Sequence, residues 1–159
     1  MEKLTHLTAK GEAHMVDVTA KQPTVREASA QAEISCSPST IELIRSGEAP
    51  KGDVLAVTRV AGIAATKQVP ALLPLAHVIG VHGAQVDIEL LSDRVVITTV
   101  VRTADRTGVE MEALTAATVA ALAFVDMVKG VDRSVMIERA FITAKSGGRS
   151  GDWARSTSQ

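Results

Sequence analysis

Tyrosine is absent from this 159-residue chain, which holds one Trp and two Phe, so aromatics make up only 2% of it. Base recognition on a stacking platform needs several exposed rings, and that mode of RNA binding is excluded. The core has to be built from Ala, Val, Ile and Leu. A single cysteine, Cys36, excludes an intrachain disulfide and a cysteine-based zinc site, and it fits a reducing compartment. Neither sign of charge is in excess, since 17 basic and 18 acidic side chains leave a formal net charge of −1. Bulk attraction to nucleic acid is disfavoured, and any anion site has to be a local cluster. Long apolar runs are missing too. The longest uninterrupted one runs from Val119 to Val125, whereas a membrane span needs ~20 residues. The opening MEKLTHLTAKGEAHM has no apolar region of a secretory signal. A soluble, cytoplasmic protein is expected, with neither a membrane nor nucleic acid as partner.

What is present has an ordinary globular balance, 46% hydrophobic and 22% charged. Residues 1–26 read as an extended N-terminal arm. Residues 27–145 read as a single domain, and the Ser/Gly-rich residues 146–159 as a flexible tail. Small and polar residues alternate in EASAQAEIS, which predicts a strand from Glu27 to Ser37. A short helix follows in IELIRSG, with Ser39 or Thr40 to cap it and Gly47 to end it. Asp53 is placed to cap VLAVTRVAGIAATKQ, which should stop near Gln68 because Pro70 disfavours helix at Val69. Two β-rich stretches, Val78 to Leu91 and Val95 to Arg102, flank the short Ser92-Asp93-Arg94 turn. After Gly108 comes an Ala-rich helix ending at Gly130, and then a strand from Val135 to Ala144. This order predicts an α+β fold. It is the β-α-β-β-α-β pattern of a ferredoxin-like antiparallel sheet, with one extra helix and all helices on one face. The helix after Gly108 is apolar almost all round. A one-layer sheet covers one side of it, so an oligomer is expected.

Few side chains suit catalysis. Asp126 and Lys129 are three apart and share a helix face. They read either as a solvated ion pair or as an acid–base pair whose pKa values are set by partial desolvation. Glu112 precedes Asp126 by 14 residues, a net rotation of about 40° and an axial distance of about 21 Å. One straight helix cannot bring both carboxylates to one small substrate, whereas antiparallel packing against a second copy can. His77 follows the apolar LLPLA and reads first as a packed residue. His82, five residues on, points to the opposite face of a strand, so no metal site is expected. Lys145 and Arg149 in KSGGRSG combine charge with glycine backbone, which suits either phosphate or a plain tail. Lys10, Lys21 and Arg26 in the arm are equally open.

Six strings sharpen this reading. HMVDV (from His14), KGDVLAVTRVAGIAATK (from Lys51), LLPLAH (from Leu72), TGVEMEALTA (from Thr107), DMVK (from Asp126) and AKSGGRSGD (from Ala144) stand in this order. With them the chain resembles the MoaC family of molybdenum-cofactor biosynthesis from about His6 to Asp152. The resemblance implies a ferredoxin-like lyase. Its reaction converts (8S)-3',8-cyclo-7,8-dihydroguanosine 5'-triphosphate to cyclic pyranopterin monophosphate with release of diphosphate. It also implies a homohexamer, a trimer of dimers, with the site at the dimer interface. No cofactor is implied, and Mg²⁺ accompanying the triphosphate is left open. Carried over by motif, the catalytic residues are Asp126, Lys129, Lys51 and His77. The substrate-binding residues are Leu75, Ala76 and His77, then Glu110, Met111 and Glu112, then Lys145. Lys21 and Arg26 match arm positions that meet the triphosphate.

The chain departs from the family at the histidine loop. Ala76 stands where the family carries cysteine, and Val78 where it carries proline. No thiol is available there, and the loop's path is open to change. Every charged residue of the motifs is retained. The alternative reading is a catalytically weakened paralogue that binds a purine nucleotide.

Overall fold

The computed structural model describes residues 6–156. The first five residues of the expected arm and the last three of the expected tail lie outside them. Strand β1 (Thr24–Ser35) leads into helices α1 (Pro38–Arg45), α2 (Val54–Ala65) and the short α3 (Val69–Leu72). The hairpin β2 (Gly83–Leu90) and β3 (Arg94–Asp105) follows. Helix α4 (Glu110–Val128), β4 (Met136–Ser146) and β5 (Trp153–Ala154) complete the chain.

The five strands form one antiparallel sheet in the order β2-β3-β1-β4-β5. The first four strands have the expected ferredoxin-like order, and β5 extends the edge. β1 lies at the centre, and its pleat sends Ala28, Ala30, Ala32 and Ile34 to one buried face. Opposite them lie Ala113, Ala117, Ala120, Ala121 and Phe124 of α4, all fully buried. Facing alanines let helix and sheet approach closely, which is how a chain poor in aromatics makes a dense core. α2 packs on α4 in the same helical layer. Gly62 makes that possible: a Cβ there would stand 3.1 Å from the Ala116 carbonyl oxygen and 3.1 Å from the Ala120 Cβ. α4, at 19 residues, is long and apolar enough to cross a bilayer by length and composition, yet half of its most apolar window is buried inside this chain.

Several boundaries differ from the sequence reading for local reasons. The cap of α1 is Ser37, whose Oγ accepts from the Thr40 amide at 3.3 Å. Pro38 is therefore inside the first turn, where its missing N–H costs nothing. α2 begins after its expected cap, with the Ala56 amide donating to Asp53 Oδ1 at 2.9 Å, but it stops at Ala65 rather than near Gln68. Pro70 sits in the first turn of α3, so it opens a helical turn instead of forbidding one at Val69. Residues 78–82 form an irregular loop, and the strand expected from Val78 starts at Gly83. In the tail, Trp153 and Ala154 pair with Lys145 and Ala144. In the arm, Leu7 bridges Ala13, and β1 begins at Thr24.

Candidate active site

The candidate residues fall into two groups at opposite ends of α4. At the N-terminal end, residues 75–77 run out of the turn that the Ala76 amide closes on the Leu73 carbonyl at 3.1 Å, and they face the first turn of α4. Ala76, His77, Glu110, Met111 and Glu112 line a cleft of about 400 Å³ between them. The first turn of α4 has no side-chain cap. Glu112 is nearly fully buried, with 4% of its surface exposed. Burial pushes its carboxyl above the ordinary range, and the nearby charge of Glu110 adds to the effect. His77 Nε2 lies 2.6 Å from the Val16 carbonyl oxygen. That acceptor assigns the proton to Nε2 and leaves Nδ1 as the nitrogen that can exchange a proton with a ligand.

The cleft continues into a polar notch shared by Arg26, Gly108, Glu110, Lys145 and Ser150. A basic mouth of about 550 Å³ lies beyond it, with Lys21, Arg26 and Arg149 in its walls. The Lys145 ammonium donates to Ser150 Oγ. Gly147 and Gly148 both adopt positive φ, +81° and +78°, and so fold the SGG turn back against β1 and Arg26. Arg149 was legible only as a tail cation. The second cation of KSGGRSG was the signal, but nothing local in the sequence shows that the tail returns to the arm.

At the C-terminal end, Asp126 sits between two ammonium groups. Lys129 Nζ is 2.6 Å from its Oδ1, and Lys51 Nζ is 3.3 Å from its Oδ2 and 2.6 Å from its carbonyl oxygen. These contacts, that of Lys129 first and that of Lys51 second, hold the Asp126 carboxyl below the ordinary range. All three side chains are roughly half-exposed. The i,i+3 pair expected within α4 is thus present, and Lys51 joins it from 75 residues away. His77 does not: it belongs with Glu112, about 21 Å down the helix.

Asp132 anchors the loop that follows Lys129. It is buried and accepts four hydrogen bonds, from the Ser37 amide (2.8 Å), Thr40 Oγ1 (3.1 Å), the Ser134 amide (2.9 Å) and Ser134 Oγ (2.6 Å). Burial opposes its ionisation, but these donors outweigh burial and hold the carboxyl far below its usual value. The sequence reading did not find this residue, because two of its partners lie on the β1–α1 junction. Asp132→Ala is expected to cost about 2 kcal/mol or more in urea unfolding, since it strands buried donors. A depressed carboxyl stabilises the fold above its unfolded-state value of 3.8 and loses that contribution as pH falls below it. The difference in stability between parent and variant should therefore narrow below pH 3.8. A constant difference down to the acid transition would contradict the assignment.

The fold and these two groups define a ferredoxin-like α+β protein that carries a basic mouth, a buried acid and an exposed acid–base cluster on one helix. Comparison with known proteins is specific. The MoaC family model matches residues 15–148. The cyclic pyranopterin monophosphate synthase of Streptomyces coelicolor is 50% identical over 155 residues, 98% of this chain and 91% of that protein. The protein of the same name from Desulforamulus reducens is 51% identical over 156 residues, covering 98% and 95%. That from Chloroflexus aurantiacus is 49% identical over 155 residues, covering 96% and 95%. The chain belongs to the MoaC family.

Proposed function

We infer that this chain is a lyase that converts (8S)-3',8-cyclo-7,8-dihydroguanosine 5'-triphosphate to cyclic pyranopterin monophosphate, releasing diphosphate, in molybdenum-cofactor biosynthesis. The observation that carries this reading is the likeness to synthases of that name over nearly the whole of both chains, with each charged candidate residue carried over by motif in one of the two groups. Diphosphate leaves when a sugar hydroxyl attacks the α-phosphorus and the bond to the bridging β-phosphate oxygen breaks. The hydroxyl proton must go to a base, and the leaving oxygens need fixed cations. Lys21, Arg26, Lys145 and Arg149 supply cations around one continuous mouth and notch. Rearrangement of the purine rings is a series of proton transfers, assigned to Asp126 and Lys129 with Lys51 beside them. A guanine edge, which donates N–H groups, would give the buried Glu112 carboxylate partners. His77 Nδ1 serves as a second proton carrier in the same cleft.

Catalysis on one substrate requires both ends of α4, which one copy cannot supply. We propose a homohexamer, a trimer of dimers, in the cytoplasm, where nucleoside triphosphates are held. In each dimer two α4 helices pack antiparallel, so that Asp126 and Lys129 of one copy meet Glu112 and His77 of the other. The exposed stripe of Met111, Thr118 and Leu122 along α4 supports this arrangement.

The test is incubation of the purified protein with the cyclic dihydro-GTP intermediate while diphosphate is followed. Release, with conversion of the purine to a pterin, is expected. A bound but unconverted nucleotide would replace the lyase with the weakened paralogue.

A further inference from the structure

We propose that Asp105 and Arg106, at the corner between β3 and α4, form a positioning hub that couples the phosphate-contacting arm to the His77 loop. The proposal rests on the lyase reading above for its functional consequence, and on hydrogen bonds for its existence. Asp105 Oδ2 accepts from the Gly80 amide at 3.1 Å, and its Oδ1 accepts from the Arg106 amide at 2.7 Å. Thr103 Oγ1 donates to the Gly80 carbonyl at 2.5 Å. Both backbone groups of Gly80 are therefore held by the end of β3, three residues after His77.

The same corner faces the arm. Arg106 Nε donates to the Lys21 carbonyl at 2.9 Å. Arg26 lies along the backbone of the corner, its Nε donating to the Asp105 carbonyl at 3.1 Å and its Nη2 to the Arg106 carbonyl at 3.3 Å. The arm in turn meets the loop where His77 Nε2 reaches the Val16 carbonyl. The contacts close a circuit. From Val16 it runs to His77, through Gly80 to Asp105 and Arg106, and back to the arm at Lys21. The chain between Lys21 and Val16 completes it.

Such a circuit has a consequence that separate contacts lack. Lys21 and Arg26 sit in the basic mouth, while His77 sits in the cleft with Glu112. Phosphate drawn against the arm tightens the same ring that orients the imidazole. Releasing the ring at one point frees both segments, so binding and proton transfer weaken together. The amides of Arg106 and then Gly80 hold the Asp105 carboxyl below its ordinary range, so it is an anionic acceptor across the working pH range. Nothing in the linear sequence marks this pair, because Asp105 meets Gly80 across 25 residues and Arg106 meets Lys21 across 85.

The experiment uses the full chain with Asp105→Ala, Asp105→Asn, Arg106→Ala and the Asp105→Ala/Arg106→Ala double variant. Hydrogen exchange at Gly80 and the His77 ring resonances are read without substrate, and diphosphate release is read with it. In Asp105→Ala the Gly80 amide should exchange about tenfold faster or more, with mid-β3 amides unchanged. The His77 ring signals should move in both single alanine variants, and kcat/KM should fall about tenfold in each. Asparagine keeps one of the two acceptors, so Asp105→Asn should lie between parent and alanine. The double variant should be little worse than the worse single one, because a ring is opened only once. If Asp105→Ala fails to fold, Asp105→Asn and Arg106→Ala carry the same comparison. Unchanged Gly80 exchange and His77 signals, or losses that multiply in the double variant, would overturn the hub. The exchange and resonance arms need no turnover, so a parent that releases no diphosphate would count against the lyase reading and leave the hub to be judged by them.

Discussion

Lys129→Ala should slow diphosphate release by about a hundredfold to ten-thousandfold, the range expected for loss of a general acid or base. The argument starts from the trio. Asp126 lies between Lys129 and Lys51, and it keeps their ammonium groups beside each other in spite of like charge. Removing Lys129 deletes one proton carrier and leaves Asp126 oriented by Lys51 alone. Arginine should not rescue it, since a guanidinium does not give up its proton. Asp126→Ala should cost as much for another reason: two cations then stand at the helix end with no anion between them, so Lys129 swings into solvent and Lys51 keeps only the main-chain carbonyl of residue 126. Because the trio is roughly half-exposed, neither change should lower the melting temperature by more than a few degrees. Stopped-flow or steady-state diphosphate detection alongside thermal unfolding separates the outcomes. Normal turnover by Lys129→Ala would remove the pair from the mechanism.

Mixing two dead variants should restore activity. Glu112→Gln disables the N-terminal end of α4, and Lys129→Ala disables the other. If each site takes one end from each copy, a mixed dimer has one site with both lesions and one with neither. Random exchange of subunits then recovers about a quarter of parental turnover. Each variant alone stays near background. Glutamine matches the volume of the buried carboxyl, so Glu112→Gln keeps the packing. It also removes the penalty of burying a charge, which the raised carboxyl value marks, so this variant should be at least as stable as the parent at neutral pH. Co-refolding followed by the diphosphate assay reads the result. No recovery from verified mixed dimers would place both ends in the service of separate substrates.

Local chemistry made part of this legible. The Asp53 cap, the Ala-rich α4 and the i,i+3 spacing of Asp126 and Lys129 are each set by residues within a turn or two, and all three stand in the structure. So is the alternation that places Ala28, Ala30 and Ala32 on one face. What escaped is what depends on distant partners. Residues 78–82 are apolar enough to read as strand, but Gly80 is held by the side chains of Thr103 and Asp105 instead of a ladder. Two residues of the Ser/Gly-rich tail pair on β4, because its edge offers free backbone groups. Lys51 reached its place only by tertiary folding. The family strings named a set of candidate residues without showing that they divide between the two ends of α4.

That division gives α4 the character of a caliper. Its buried alanines clamp it to β1 and α2 with almost no rotamer freedom to absorb error. The separation of its jaws is then a matter of residue count. One residue inserted between Glu112 and Asp126 would turn everything after it by about 100° and advance it by about 1.5 Å. Lys129 would leave Lys51, and in the proposed dimer the far jaw would miss its counterpart. The buried alanines along the middle of the helix have to stay small, and the number of residues between the jaws is fixed with them.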